Sequence, residues 1–232
     1  MIGLALGGGG VRGSYQVGVY MAFKKSHIKI AGFTGSSIGA FNAAMLASGR
    51  EKELLNFWRT TEIGKVFGFS DELIKLANSD KFDWKIIKAS YNDIIKFIKN
   101  KGISTDNLKK TVDQLKIEDS LFKSNKDFGL VTVRVKDFKP MYVFKEDIKR
   151  GKLTDYLMAS CYLPIFKLEK IIDDNYYLDG GFYDYAPANA LIDRGYDKVY
   201  VVDLEAIGYR RKYKDKDKVI VIKPSRKLGS II

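Results

Sequence analysis

Short apolar runs alternate along the chain with longer stretches of helical periodicity. Five runs predict β-strands, at Ile2–Leu6, Ile28–Thr34, Gly129–Val135, Lys198–Asp203 and Val219–Ile222. The stretches between them, such as Ser14–Phe23 and Ala40–Ala47, predict helices. Alternation of strands with helices is typical of a largely parallel sheet that carries helices on both faces. The pattern therefore predicts an α/β fold with three layers, α/β/α.

Length and composition favour one domain. The 232 residues, of which 46% are hydrophobic, are enough for one sizeable core, so we expect a single domain over residues 1–232. The lone cysteine, Cys161, excludes an internal disulfide and is expected in the core. The N-terminus has no recognisable signal peptide, and no apolar run is long enough to span a bilayer. We therefore expect a soluble, cytoplasmic protein.

The segment Gly35-Ser36-Ser37-Ile38-Gly39 has the Gly-x-Ser-x-Gly pattern of a nucleophile elbow. In such an elbow the flanking glycines, Gly35 and Gly39, let a strand turn sharply into a helix and expose the serine hydroxyl. A strand is predicted before this segment and a helix after it, as the elbow requires. Ser37 is therefore the candidate nucleophile, and the alternative for the isolated motif is a plain strand-to-helix turn.

The base for this serine is not a histidine. The only histidine, His27, precedes the elbow on a charged stretch, whereas hydrolases with this elbow have the order Ser, acid, His. We expect His27 to be an exposed loop residue. The base must then be a carboxylate, a lysine or an N-terminal amine. Asp179 is the best-placed carboxylate, because it follows an apolar-aromatic run and precedes two permissive glycines, Gly180 and Gly181. In isolation, this Asp-Gly-Gly is more typical of an ordinary turn.

A first glycine cluster follows strand Ile2–Leu6 and opens a helix. Its Gly8, Gly10 and Gly13 fit the dinucleotide-binding fingerprint, but no acidic residue precedes Glu51 to hold a ribose hydroxyl. The amides of Gly8, Gly9 and Gly10 are better explained as an oxyanion hole at a helix N-terminus. Three roles are open to Arg12: it could steady this loop, attract an anionic head group, or be an ordinary solvated arginine.

Taken together, these motifs resemble the patatin-like phospholipase family in order and spacing. The resemblance extends to Met158–Pro164 and is weakest over residues 51–125, a variable helical region. It implies a Ser37–Asp179 dyad, the glycine loop as oxyanion hole, a lipid acyl ester as substrate and an acyl-serine intermediate. Residues Arg12, Gly13, Gly35, Gly39, Gly180 and Gly181 would support these motifs. No metal or cofactor is expected, since a serine with an aspartate base needs neither.

The chain departs from the family in two places. Many members carry Asn before the proline that follows Asp-Gly-Gly, where this chain has Tyr185, so the hydrogen bonding of that loop is expected to differ. The chain also stops soon after its last strand, where relatives continue into another helix. We therefore expect the native chain to continue beyond Ile232.

The net charge of +12 points to an anionic partner. A phospholipid surface is favoured over nucleic acid, for which no motif stands out. The amphipathic stripe from Trp84 to Ile98 suits either a helix on an anionic membrane or, as we favour, a helix packed on the core. The sequence thus predicts a phospholipase A-type lipid acyl hydrolase. The alternatives are a thioesterase or protein deacylase on the same dyad, and a membrane-binding module with a vestigial site.

Overall fold

A seven-stranded sheet organises the chain. The computed structural model describes residues 1–66, 68 and 102–229. Its strands are β1 (Ile2–Leu6), β2 (Gly32–Ser36), β3 (Asp127–Arg134), β4 (Lys139–Phe144), β5 (Tyr177–Asp179), β6 (Lys198–Val202) and β7 (Val219–Ile222). They are ordered β4-β3-β2-β1-β6-β7, and β5 also pairs with β3. Strands β1, β2, β3, β6 and β7 are parallel, whereas β4 and β5 run antiparallel to β3. The predicted largely parallel sheet is confirmed.

Helices cover both faces of this sheet. The described α-helices are α1 (Ser14–Lys25), α2 (Ile38–Ala47), α3 (Glu51–Thr60), α4 (Ile63–Val66), α5 (Asp106–Gln114), α6 (Glu118–Lys123), α7 (Leu153–Ser160) and α8 (Ala188–Ile192). Helix α2 is buried along its whole length and packs on β1, β2 and β3. Helix α8 packs on β1, β2 and β6. Leu4 and Leu6 of β1 belong to the α2 core and Ala5 to the α8 core, because successive strand residues point to opposite faces.

Several predicted boundaries were wrong, among them the starts of β2 and α2. The strand predicted at Ile28–Thr34 begins only at Gly32, because β1 begins at Ile2 and residues before Ala31 have no neighbouring strand to pair with. Helix α2 begins at Ile38 rather than Ala40, directly after the elbow serine. Strands β4 and β5 were not predicted. The stripe from Trp84 to Ile98 lies outside the described residues.

Candidate active site

Ser37 occupies the single-residue turn between β2 and α2, with φ 56° and ψ −131°. A non-glycine residue in such a sparsely populated region costs about 1–3 kcal/mol, so its surroundings must hold it there. Steric contacts explain the flanking glycines. A Cβ on Gly35 would lie 2.2 Å from the backbone of Gly39, and a Cβ on Gly39 would lie 2.3 Å from the carbonyl oxygen of Leu6. The strand and the helix therefore approach each other as closely as an elbow requires.

The register of β3 brings the candidate base next to this elbow. One edge of β3 pairs with β4, so β2 and β5 must share the other edge. On that edge Ser36 pairs with Val131, and Asp179 pairs with the next residue, Thr132. Strands β2 and β5 thus lie end to end, and the residues at their meeting ends adjoin. This junction brings together Ser37 and Asp179, which are 142 positions apart in sequence.

Asp179 is a buried carboxylate with defined partners. Its residue is 5% exposed, and its Oδ1 accepts a hydrogen bond of 2.8 Å from the N–H of Gly181. The side chain of Ser37 lies close enough to lower the pKa of this carboxyl. Burial nevertheless raises the pKa of Asp179 to about 6, against the lowering effects of the Ser37 side chain and of the Gly181 N–H. A Cβ on Gly180 would lie 2.1 Å from the carbonyl oxygen of Val131, so only glycine allows this close approach.

The lone histidine is far from this pair along the sheet. His27 is exposed in the turn after α1, as expected, with φ 57°. It precedes β2, whereas Ser37 follows it, so β2 separates the two residues. His27 therefore has no place beside the candidate nucleophile.

The glycine loop after β1 passes directly beside Ser37. A Cβ on Gly8 would lie 3.3 Å from the Cβ of Ser37. The N–H of Gly8 donates to the carbonyl oxygen of Tyr185 at 3.2 Å, which removes it from the predicted set of oxyanion donors. Gly9 and Gly10 have φ values of 153° and 55°. Within the described part of the chain, their N–H groups have no hydrogen-bond partner. These two amides remain as candidate oxyanion donors.

Tyr185 packs against this loop and supports it. A Cβ on Gly7 would lie 2.4 Å from the Tyr185 ring. The hydroxyl of Tyr185 accepts a hydrogen bond of 2.9 Å from the N–H of Leu204, while its carbonyl receives the N–H of Gly8. The tyrosine therefore links the glycine loop to the segment after β6.

Arg12 steadies the loop. Its guanidinium donates to the carbonyl oxygens of Gly229, Glu205 and Leu204, with its shortest contact 2.6 Å from Gly229. Gly13 is required by packing, since a Cβ there would lie 2.8 Å from the ring of Trp58. Of the roles open to Arg12, the structure thus supports the structural one.

The residues that hold the candidate nucleophile and the candidate base in place were not predicted from the sequence. The Ser160 hydroxyl donates to the carbonyl oxygen of Val131 at 2.8 Å and accepts the N–H of Ser37 at 3.1 Å. Thr132 donates to the carbonyl oxygens of Ala159 and Leu178, at 2.8 and 3.0 Å. The resemblance over Met158–Pro164 marked this segment, but no pattern in it indicates that a buried hydroxyl supports the elbow.

Cys161 lies against both candidate catalytic residues. Burial raises the pKa of its thiol, the nearby charge of Asp179 raises it further, and the Ser37 side chain lowers it. It is buried, as expected, and lines an apolar pocket that begins beside Ser37. The pocket is lined by Ile38, Phe41, Phe57, Val66, Leu108, Thr111, Val112, Leu157, Met158 and Cys161. An apolar chain attached to a carbonyl at Ser37 would find matching surroundings there.

No helix in the parts of the chain that the structure describes has the length and apolarity needed to cross a membrane. Nor do three or more His, Cys, Asp or Glu side chains gather into a possible metal site among those residues.

Curated relatives of this chain include fungal lysophospholipases. A lysophospholipase nte1 of Aspergillus terreus is 29% identical over 206 residues, which cover 89% of this chain and 12% of that protein. A lysophospholipase NTE1 of Pyricularia oryzae is 27% identical, again over 89% of this chain and 12% of the relative. The chain thus spans about one eighth of the length of these relatives.

Solved structures and family models extend the comparison. The crystal structure of VipD from Legionella pneumophila matches with a TM-score of 0.56 and 16% identity, covering 86% of this chain and 49% of that one, which supports the fold alone. A family model described as Patatin-like phospholipase matches residues 4–192, a range that contains the glycine loop, the elbow and the Asp-Gly-Gly turn. The chain belongs to the patatin-like phospholipase family.

Proposed function

We propose that this protein hydrolyses the carboxylic ester of a phospholipid or lysophospholipid through an acyl-Ser37 intermediate, with Asp179 as the base. The observation that carries the proposal is the juxtaposition of Ser37 and the buried carboxylate of Asp179 at the junction of β2 and β5. A hydroxyl needs a neighbouring base to act as a nucleophile near neutral pH. Asp179 is a suitable base, since burial raises its pKa to about 6, much closer to neutral than an ordinary aspartate.

In the acylation step, the Oγ of Ser37 attacks the ester carbonyl carbon and its proton passes to Asp179. The charge that develops on the carbonyl oxygen is stabilised by the N–H groups of Gly9 and Gly10. When the carbon–oxygen bond to the alcohol breaks, Asp179 returns the proton to the leaving oxygen. In deacylation, water gives a proton to Asp179 and attacks the acyl carbon, and the proton then returns to Ser37 as the free acid departs.

The lipid part of the proposal is supported by the apolar pocket beside Ser37. Among the described residues its walls come from α2, α3, α4, α5 and α7, and the polar side chains among them are Thr111 and the Cys161 thiol. The space between these walls is too small for an acyl chain as it stands, so the chain would enter only as the side chains move apart, and burial of apolar surface would then favour it over a peptide or sugar. The printed names of the fungal relatives, which are lysophospholipases, support the same substrate class.

The test combines active-site labelling with lipid hydrolysis. A fluorophosphonate should label Ser37, and Ser37→Ala should abolish both labelling and release of fatty acid from a lysophospholipid. Ser36→Ala is the matched control: the Ser36 hydroxyl is buried without a hydrogen-bond partner in the described structure, so its loss should leave labelling and hydrolysis in place. His27→Ala should also keep most activity.

Labelling of a different serine, or lipid hydrolysis that persists in Ser37→Ala, would contradict the proposed nucleophile. A panel of acyl thioesters and acylated peptides tests the substrate class. If these are hydrolysed with a higher kcat/KM than any lipid ester, the protein is a thioesterase or protein deacylase on the same dyad.

A further inference from the structure

Three large apolar side chains are exposed beside the candidate active site. Phe182 is 54% exposed, Ile207 is 91% exposed and Tyr209 is 63% exposed. Single exposed apolar residues are common on protein surfaces, but a group of them marks an interaction site. We call these three residues the apolar rim.

Hydrogen bonds and packing join the rim to both halves of the site. The N–H of Tyr209 donates to the carbonyl oxygen of Gly181 at 2.8 Å, and the N–H of Gly181 in turn binds the carboxylate of Asp179. Phe182 directly follows Gly181 in the chain. Phe182 and Tyr209 of the rim therefore adjoin Gly181, whose N–H contacts the candidate base.

On the other side, the rim continues from the wall of the glycine loop. A Cβ on Gly9 would lie 2.9 Å from Leu204 and 3.2 Å from Ala206, so the segment after β6 packs against the loop. Ile207 is the next residue after Ala206. The apolar rim thus flanks the glycine loop as well as the Asp179 turn.

Three consecutive cationic residues follow the rim on the same loop. Arg210 pairs with Asp203 at 2.8 Å, whereas Arg211 stacks on the ring of Tyr183 at 4.6 Å and Lys212 is exposed. The net charge of the whole chain is +12. Apolar side chains followed by cations are typical of segments that insert at the interface of an anionic bilayer, where the apolar groups enter the acyl boundary and the cations meet phosphates.

We propose that the apolar rim, with Arg211 and Lys212, docks this protein onto an anionic phospholipid membrane with the Ser37 site facing the bilayer. The proposal rests on the proposed function, because a lipid ester must reach Ser37 from such a surface. A lipid surface is favoured over a folded partner, since the rim continues directly into the proposed lipid site and Arg211 and the exposed Lys212 supply cations beyond Arg210, which Asp203 neutralises.

The experiment measures sedimentation of the full chain with vesicles of phosphatidylcholine, with and without phosphatidylglycerol, at low and high salt. It uses a Ser37→Ala background, so that binding does not depend on turnover. Binding should require phosphatidylglycerol and weaken in high salt. Ile207→Ser and Phe182→Ser should each weaken binding about tenfold, as expected for removing one inserted side chain. Melting temperature should hold in both variants.

Matched controls lie on other parts of the sheet. Ile220→Ser makes the same change in the edge strand β7, where Ile220 is 40% exposed, and should leave binding as it is. Lys212→Glu should weaken binding several-fold. Lys198→Glu should have a smaller effect, because Lys198 lies at the N-terminal end of β6, whereas the site lies at the C-terminal ends of the parallel strands.

The proposal would be overturned if Ile207→Ser and Phe182→Ser bound vesicles as well as the parent protein. It would also be overturned if Ile220→Ser lost as much vesicle binding as these two variants. Absence of binding to any vesicle would also overturn it and leave the rim as a protein-binding surface. Failure of the proposed function is seen separately. If the rim variants lose binding while the protein with Ser37 hydrolyses no ester, the docking surface stands and the catalytic proposal falls.

Discussion

Two buried carboxylates lie five residues apart on the same loop and differ in what they contact. Burial raises the pKa of both Asp179 and Asp184 to about 6. Asp179 lies beside Ser37 and accepts a hydrogen bond from the N–H of Gly181. Asp184 instead accepts a hydrogen bond of 2.8 Å from the hydroxyl of Tyr142.

The difference teaches that a raised pKa does not by itself identify a base. Desolvation acts on any buried carboxylate, and structural carboxylates have perturbed pKa values as well. What distinguishes Asp179 is the register of β5, which puts it opposite Thr132 and next to the end of β2. Asp184 lies beyond the turn Gly180–Phe182, outside that junction.

The largest expected effect separates these two carboxylates directly. Asp179→Asn should lower kcat by about 10²–10⁴, since a positioned general base contributes that much. Asp184→Asn should lower kcat by less than about tenfold, because it touches neither Ser37 nor the glycine loop. The measurement is turnover of a lysophospholipid and of a monodisperse ester by both purified variants.

Melting temperature checks that the two variants are folded. A carboxyl whose folded-state pKa lies above its unfolded value binds protons better when folded, so its contribution to stability declines as pH rises from about 4 to about 6. Above that window the ionised carboxylate opposes folding. Both Asp→Asn variants should therefore melt no lower than wild type at about pH 8. Equal kcat losses in the two variants would contradict the distinction drawn between them.

A smaller effect is expected from the residue that holds the nucleophile. Ser160→Ala removes the acceptor of the Ser37 N–H and should lower kcat about 10- to 100-fold, because small misplacements of a reacting group have large effects on rate. KM should change little, and the rate of fluorophosphonate labelling should drop in parallel with kcat.

Ser48→Ala is the matched control for that substitution. Ser48 donates to the carbonyl oxygen of Met45 at the other end of α2, away from the elbow. If Ser48→Ala and Ser160→Ala lower kcat equally, or if Ser160→Ala alters KM alone, then Ser160 does not position the nucleophile.

The smallest effect is the pH dependence of the wild type. Because Asp179 must be ionised to accept a proton, kcat/KM should fall as pH decreases through about 6. One pH unit below this midpoint, about one tenth of the carboxylate is ionised, so activity should be about tenfold lower. The acid limb should persist in Asp184→Asn. Its disappearance in that variant would assign the limb to Asp184.

The local features of the site were predictable from sequence. Gly35, Ser37 and Gly39 are spaced for an elbow, and the structure has them in a turn where a Cβ on either glycine would clash. Strand Ile2–Leu6 was predicted with its observed bounds. Such features depend on the sterics and the apolar periodicity of residues that are close together in the sequence.

The sequence could not indicate which glycine amide is free or what supports the elbow. The N–H of Gly8 donates to the carbonyl oxygen of Tyr185, which is 177 positions away in sequence, and the N–H of Ser37 donates to the hydroxyl of Ser160. Likewise, the motif around Tyr185 showed only that an asparagine was missing. These pairings depend on how the ends of distant strands meet, which no local pattern specifies.

The sequence by itself determined the α/β class, the nucleophile elbow and the absence of a histidine in a position to serve it. Only the tertiary structure decided that β2 and β5 meet end to end on β3, that Asp179 rather than Asp184 reaches Ser37, and that Phe182, Ile207 and Tyr209 remain uncovered beside them. The physical reason is that backbone conformation and apolar periodicity are local properties. Burial, pKa and hydrogen-bond partners, by contrast, depend on residues that are brought together only when the sheet forms.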